Sequence, residues 1–288
     1  MNTVLLVGGD LCTRTARLLD PLQWRCIGLR RSAVTPEPGD PVTWVQGNLQ
    51  DPASLAFLSD AEFANISHVL YAPSPDSRTP QDYVAVYSQG LPTLLNAVLA
   101  KGPGRLQRCV LVGSTAVWGA SDAWVNEETP VQDTNFRTHA LLAAEAALSV
   151  LLPSGVGVTL RLSGLYGPGR QYLVNGLQAG KVVAPDGPGH WGNRIHRDDA
   201  ANACAHLLTL ANPDPVYIGT DDQPLPLAEF YDGVARLTGA PMPPREVRAP
   251  EGKRLSNRRL RDSGWVPQWP RALDWYASEW RVSEGGAG

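Results

Sequence analysis

Six apolar runs of strand length alternate with helix-type segments along this chain, and that alternation limits its fold more than any other feature. The runs are Val4–Val7, Trp24–Leu29, Val42–Val45, His68–Ala72, Cys109–Val112 and Val156–Leu162. They are short, rich in branched side chains and mostly free of polar alternation, as strands buried on both faces are. Between them, Leu11, Thr15, Leu18 and Leu19 predict a short helix stopping at Asp20-Pro21, and another helix opens near Asp51-Pro52. A longer helix is expected from about Asp82 to Ala100, with Pro92 kinking it or shifting its start. After a polar loop, the nearly all-apolar Ala140–Leu148 is either deeply buried or half of a subunit contact. Strands and helices in this order give an α/β fold, a doubly wound parallel sheet covered on both faces.

The first handover from strand to helix carries chemistry. Val7-Gly8-Gly9-Asp10-Leu11-Cys12 reads as the first parallel strand of a Rossmann-type domain passing into its phosphate-facing helix. Glycines at that turn let backbone amides approach a pyrophosphate. The second strand ends in Arg30-Arg31-Ser32. An acid there would accept from the ribose 2′-hydroxyl of NAD, whereas arginine accommodates the 2′-phosphate of NADP. Asn48, past the third strand, offers a donor and an acceptor to an adenine edge. The expected cofactor-binding set is Gly8, Gly9, Leu11, Arg30, Arg31, Ser32, Asn48, Leu49 and Ala72, with NADP favoured over NAD.

From Ser163 onward, glycines and prolines punctuate short elements, which predicts a smaller C-terminal substrate-binding lobe. The expected division is 1–165 for the dinucleotide-binding domain and 166–288 mainly for the lobe, with elements at about 194–219 returning to the sheet. The final Ser283–Gly288 is expected to fray. With 25 basic and 28 acidic residues the net charge is −3, which argues against nucleic acid or an anionic membrane as the main partner. Lys253, Arg254, Arg258, Arg259 and Arg261 form one basic cluster, read as a solvated helix face without interleaved aromatics. No apolar run approaches the ~20 residues of a membrane span, and the chain enters a strand without a leader, so a cytoplasmic location is expected. Cys12, Cys26, Cys109 and Cys204 are far apart in sequence and are read as reduced, buried thiols, with neither a metal site nor a disulfide scaffold.

Four ordered segments now carry a resemblance. They are the glycine turn, Gly113-Ser114-Thr115-Ala116-Val117-Trp118-Gly119, the run Arg161–Arg170 that contains Gly164-Leu165-Tyr166-Gly167-Pro168-Gly169, and Ile195-His196-Arg197-Asp198-Asp199. Together they resemble an extended short-chain dehydrogenase/reductase of the NAD-dependent epimerase/dehydratase type, with Trp118 in place of the family's tyrosine. The resemblance implies hydride chemistry on a small hydroxy or carbonyl compound, a nucleotide sugar among them, and places Ser114 on the active-site serine. It also implies a Tyr-x-x-x-Lys pair on the following helix. Spacing from Glu145 puts those positions at Arg137 and Leu141, and neither an arginine nor a leucine replaces a tyrosine acid/base. The chain is therefore identified as a member of an atypical branch lacking the pair. Ser114, Thr115 and His139 are the expected catalytic candidates. Tyr71, Tyr83, Tyr87 and His196 are weighed as substitutes and read as structural.

A further departure lies in the opening turn, where Cys12 stands at the last glycine position and Asp10 is placed to cap the helix. A carboxylate there would occupy the phosphate's place, so the turn is expected to weaken dinucleotide binding. Two functions follow: an NAD(P)-dependent oxidoreductase with a non-standard site, or a binding or sensor protein that has lost catalysis. The apolar helices at about 82–100 and 138–151 are compatible with a homodimer.

Overall fold

The computed structural model describes residues 1–36, 38–63, 65–100 and 105–284. Two compact units are present. The first comprises Met1–Val117, Gln132–Arg161 and Ala201–Tyr217, and the second Trp118–Val131, Leu162–Ala200 and Ile218–Gly288. Residues 118–131 cluster with the second unit and 201–217 with the first.

Seven strands form the main sheet: β1 Asn2–Gly8, β2 Trp24–Arg30, β3 Val42–Gln46, β4 His68–Ala72, β5 Arg108–Ser114, β6 Gly157–Leu162 and β7 Val216–Gly219. Their spatial order is β7-β6-β5-β4-β1-β2-β3, and the sheet is parallel. The strand order reverses between β1 and β4, and ligands of doubly wound sheets bind outside the carboxyl ends of the strands at such a point. Leu5, Val7, Ile27, Leu29, Val69 and Leu111 are buried on these strands. Each such side chain stabilises the fold by roughly 1.5–3 kcal/mol over leaving it in water.

Helix α1, Asp10–Ala16, is shorter than the sequence pattern suggests. The chain leaves it after Ala16, so Leu18 is 52% exposed and does not continue the buried face. The long helix begins earlier than expected and has three parts: α2 Pro80–Tyr83, a π-helical stretch Val84–Gly90, and α3 Leu91–Leu99. Thr79 accepts from the Asp82 N–H at the start, and Pro80 occupies the first turn, where its missing N–H costs nothing. Pro92 sits in the first turn of α3, so the π stretch before it absorbs the break. Helix α4, Phe136–Leu151, opens on a capping box between Asn135 and Thr138 and buries Ala140, Leu141, Ala144 and Leu148. From the same helix Glu145 pairs with Arg161 of β6 through two contacts, at 3.0 and 2.6 Å. All four cysteines are buried and unbridged.

In the second unit, Tyr166, Phe230, Trp275 and Tyr276 share a core with Val174, Leu177 and Val234. His196 is buried in this aromatic cluster, with ring contacts to Tyr166, Trp269 and Trp275. Gly167 has φ +127, and a Cβ there would lie 2.6 Å from the His196 ring. Asp199 accepts from the Gln268 and Trp269 backbone N–H groups, tying the Ile195–Asp199 landmark to the C-terminal segment. The segment read as a polar loop contains the strand Ser121–Val125, which pairs with Lys253–Leu255. The basic cluster is therefore no single solvated helix face. Lys253 is buried and donates to the Trp118 carbonyl, while Arg254 stacks on Trp191 at 4.8 Å and faces Trp124 at 5.8 Å. Helices α5 Tyr172–Gln178, α6 Arg197–Thr209 and α7 Leu227–Thr238 precede the short helix α8 Arg258–Asp262, and of the basic cluster Arg258, Arg259 and Arg261 lie on it. The last helix, α9 Ala272–Glu284, runs past Ser283; residues 285–288, also expected to fray, lie outside the described residues.

Asp221 is buried in this unit, and burial pushes its carboxyl up to about 8. The unfolded chain releases that proton near 3.8. Between these values the unfolded state binds fewer protons than the folded one, so this group makes stability fall as pH rises from about 4 to 8. Asp221→Asn should therefore gain on the wild-type protein as pH rises over that window. Denaturant midpoints measured at acid and mildly alkaline pH check it, and parallel curves for the two proteins would contradict it.

Candidate functional site

A cavity of about 410 Å³ opens in the first unit where the order of the strands reverses. Gly8 and Gly9 form its floor at the end of β1, and Arg30, Arg31 and Ser32 line it from the end of β2. Asn48 and Leu49 contribute from beyond β3. Seven of the nine residues expected around a cofactor thus meet at one cavity. Leu11 and Ala72 are not on its wall. Ala72 stands behind the turn, opposite Gly8 in register, and its carbonyl oxygen would lie 2.5 Å from a Cβ on Gly8. Gly8 also has φ +142, a conformation open to glycine and strained for any other residue.

Arg30 is held by two contacts. Its Nε donates to the Gly8 carbonyl at 3.2 Å, and its guanidinium stacks 4.5 Å over the Trp44 ring. Trp44 lies flat over Gly28 of the neighbouring strand, where any side chain would collide with the ring. Arg31 is more exposed and makes a two-point ion pair with Asp76 at 2.5 and 2.9 Å. Its pull holds the Asp76 carboxyl below the usual range. Asn48 accepts from the Gln50 N–H through its side-chain oxygen, which keeps a second lone pair alongside the amide N–H groups for a ligand.

The expectation that Asp10 caps α1 and blocks the phosphate is corrected by the geometry. Gly9 is the N-cap, no side chain caps the helix, and Asp10 is the first helical residue. Its carboxylate pairs with Arg14 one turn on, at 3.2 Å, which compensates its charge. The glycine turn is therefore not filled by the acid, and its residues fit a dinucleotide pyrophosphate.

The far wall was missed from sequence. Asp76, Asp82, Ala85 and Val86 line the cavity from the loop after β4 and from the start of the π stretch. The Thr79-Pro80 pair marks that helix start, yet nothing local announces a π turn. Tyr71 supports it from below: its hydroxyl donates to the Val86 carbonyl, which the wider helix leaves open, and Gly90 leaves room for that hydroxyl. Burial raises the Tyr71 hydroxyl well above its ordinary value and pushes Tyr87 up to about 12, so neither serves as an acid/base near neutrality. Tyr83 packs its ring against Tyr87 and Phe136.

The three catalytic candidates do not share this cavity wall. Ser114 ends β5, and its Oγ accepts from the Ala116 N–H at 3.2 Å. Thr115 is buried in the single turn that follows. His139 points to solvent on α4, with its side chain 70% exposed and paired to Asp133 at 2.9 Å. On the same helix, Arg137 is exposed over the Phe136 ring and Leu141 is buried, so nothing at the two dyad positions restores the usual pair.

Comparison with known proteins agrees with this arrangement. The model of the NAD dependent epimerase/dehydratase family matches residues 6–219. A 3-diazoavenalumate denitrifying reductase from a Streptomyces species is 29% identical over 212 residues, covering 65% of this chain and 68% of the relative. A protein from Methylobacillus flagellatus described as an NAD-dependent epimerase/dehydratase has a solved structure with a TM-score of 0.80, 30% identity and 98% of each chain covered. The human epimerase family protein SDR39U1, solved with NADPH, shares the fold at a TM-score of 0.74 and 18% identity, over 96% of this chain and 99% of its own. The family model spans the chain from the end of β1 to the end of β7, and this chain belongs to the NAD-dependent epimerase/dehydratase family.

Proposed function

We propose that the protein is an NADP-dependent reductase acting on a small hydroxy or carbonyl compound, without a Tyr-x-x-x-Lys pair. The observation that carries this reading is the end of β2, which presents Arg30, Arg31 and Ser32 to the cavity and no carboxylate. Arg30, fixed between Trp44 and the Gly8 carbonyl, would lie beside the adenosine end of the cofactor. Arg31 would exchange Asp76 for the 2′-phosphate, a small cost because the pair is exposed to solvent and screened by it. Gly8 and Gly9 would take the pyrophosphate and Asn48 the adenine edge.

The cofactor, when bound, supplies the hydride. Ser114 then has a role that needs no titration. Its oxygen already accepts from Ala116, so its O–H remains to donate to a substrate oxygen. Thr115 would keep that strand end in place, and exposed His139 is the weaker candidate. The Streptomyces reductase supports the reaction class. The family's nucleotide-sugar enzymes keep such a sugar among the candidate substrates, and a homodimer among the candidate assemblies.

Titration with NADPH and NADH, followed by cofactor fluorescence, tests the reading. Arg31→Ala should weaken NADPH by about 10-fold and leave NADH nearly unchanged, since only NADPH brings a charge-assisted contact. Tighter binding of NADH than NADPH by the wild-type protein would overturn it. Bound NADPH without oxidation on a broad carbonyl panel would favour a sensor. With turnover in hand, Ser114→Ala should lower kcat by about 10-fold or more, whereas His139→Ala should not.

A further inference from the structure

We propose that Tyr71 is a positioning residue for the cofactor cavity: with Gly90 it holds Val84–Gly90 in a π register that puts Ala85 and Val86 on the cavity wall. The helix over residues 80–99 runs through this segment without a break, because Tyr83, Gly90 and Leu91 all keep helical backbone angles. A π stretch closes its turns over five residues instead of four, so it holds one residue more than the α-helix it interrupts. Everything upstream is therefore one residue out of α register with everything downstream. The downstream part is the fixed one. Leu91, Leu94 and Leu95 of α3 are fully buried, whereas α2 buries no side chain.

Two features hold the π register. Tyr71 stands fully buried on β4, and its hydroxyl donates to the Val86 carbonyl inside the stretch. Gly90 supplies the second. A Cβ there would lie 2.7 Å from the Tyr71 hydroxyl, 2.7 Å from the Ala85 carbonyl oxygen five residues back, and 3.3 Å from a Leu49 methyl carbon. The π turn and the hydroxyl thus fit together only over a residue without a side chain. An α register would leave α3 in place, turn the upstream part by about 100° and slide it by about 1.5 Å. That movement takes Asp82, Ala85 and Val86, all cavity-lining, from the places they hold on the wall.

Tyr71→Phe keeps the ring and removes only the hydroxyl. It should weaken NADPH and NADH alike by about 10-fold, the scale of one lost buried hydrogen bond. Ala85 and Val86 carry no charge with which to tell the two nucleotides apart. Tyr71→Phe/Gly90→Ala goes further. The new methyl no longer meets a hydroxyl, its remaining close approach to the Ala85 carbonyl belongs to the π turn, and alanine is the strongest α-helix former. The double variant should therefore unfold at a denaturant midpoint no lower than that of Tyr71→Phe, yet bind both nucleotides more weakly still. A merely structural hydroxyl would make affinity follow stability. A crystal structure of the cofactor-free double variant reads the register directly and should show Val84–Gly90 as α-helix. Wild-type affinity in Tyr71→Phe, or a π stretch retained in the double variant, overturns the proposal. That the ligand is a dinucleotide rests on the reading above, and the two fail separately. Tighter NADH than NADPH, or no binding of either by the wild-type protein, removes that reading, while the crystal structure still decides the register.

Discussion

Gly8→Ala will cost about 3 kcal/mol of stability and abolish NADPH binding, because two independent constraints meet at that position. The backbone has φ +142, and a Cβ would lie 2.5 Å from the Ala72 carbonyl oxygen. That oxygen belongs to the adjoining strand β4, whose register with β1 is fixed by the pairs from Val4↔His68 to Gly8↔Ala72. The sheet has no soft direction there: relief requires parting β1 from β4 at the strand ends that form the cavity floor. Gly9→Ala is the internal control. Its Cβ would meet only the Arg30 guanidinium, at an ordinary 3.6 Å, so the loss should stay within about 1 kcal/mol. Urea midpoints and NADPH titration of the two variants decide the matter. Equal behaviour of the pair would show that the close approach of the two strands is not what requires Gly8.

Glu145→Leu should be at least as damaging to the fold, at about 3–5 kcal/mol, while leaving the cavity residues untouched. The Arg161 side chain is 7% exposed and the Glu145 side chain 12%, and the pair joins α4 to β6 through two hydrogen bonds. Removing the carboxylate leaves the guanidinium's charge buried without it. Replacing one partner of such a pair is far worse than never having had it, since desolvation of the survivor is no longer offset. Glu145→Gln keeps the shape and one acceptor, and should fall between wild type and Glu145→Leu. Chemical denaturation measures all three. A shift of Glu145→Leu below about 1 kcal/mol would mean that Arg161 finds solvent or another acceptor.

The strand runs and the helices between them were legible from sequence because each is a local pattern. A buried parallel strand must be a short apolar run, and a helix must repeat its apolar residues on one face. The same locality made Gly8, Gly9, Arg30, Arg31, Ser32, Asn48 and Leu49 readable as cavity-lining residues, since each lies at a strand end or just past one. Failures of that reading share one cause. Leu18 is apolar and exposed because α1 ends at Ala16, a boundary set by the chain's departure toward β2. Asp10 has the residue type of a cap, yet the helix starts one residue earlier than that reading requires, and the N-cap falls on Gly9. The basic cluster looked solvated because Trp124 and Trp191 are distant in sequence from Arg254, which stacks on them.

By itself, then, the sequence determined the layered α/β class and the strand-end residues that line the cavity. These depend on residue identity and spacing along one strand or helix. Tertiary structure alone decided what each charged group meets: Arg30 on Trp44, Arg31 on Asp76, Arg161 on Glu145, and Arg194 on Phe230. Partners far apart in the chain are brought together only by the crossing of elements, and the energy of a charge depends on those partners and on burial more than on the residue that carries it.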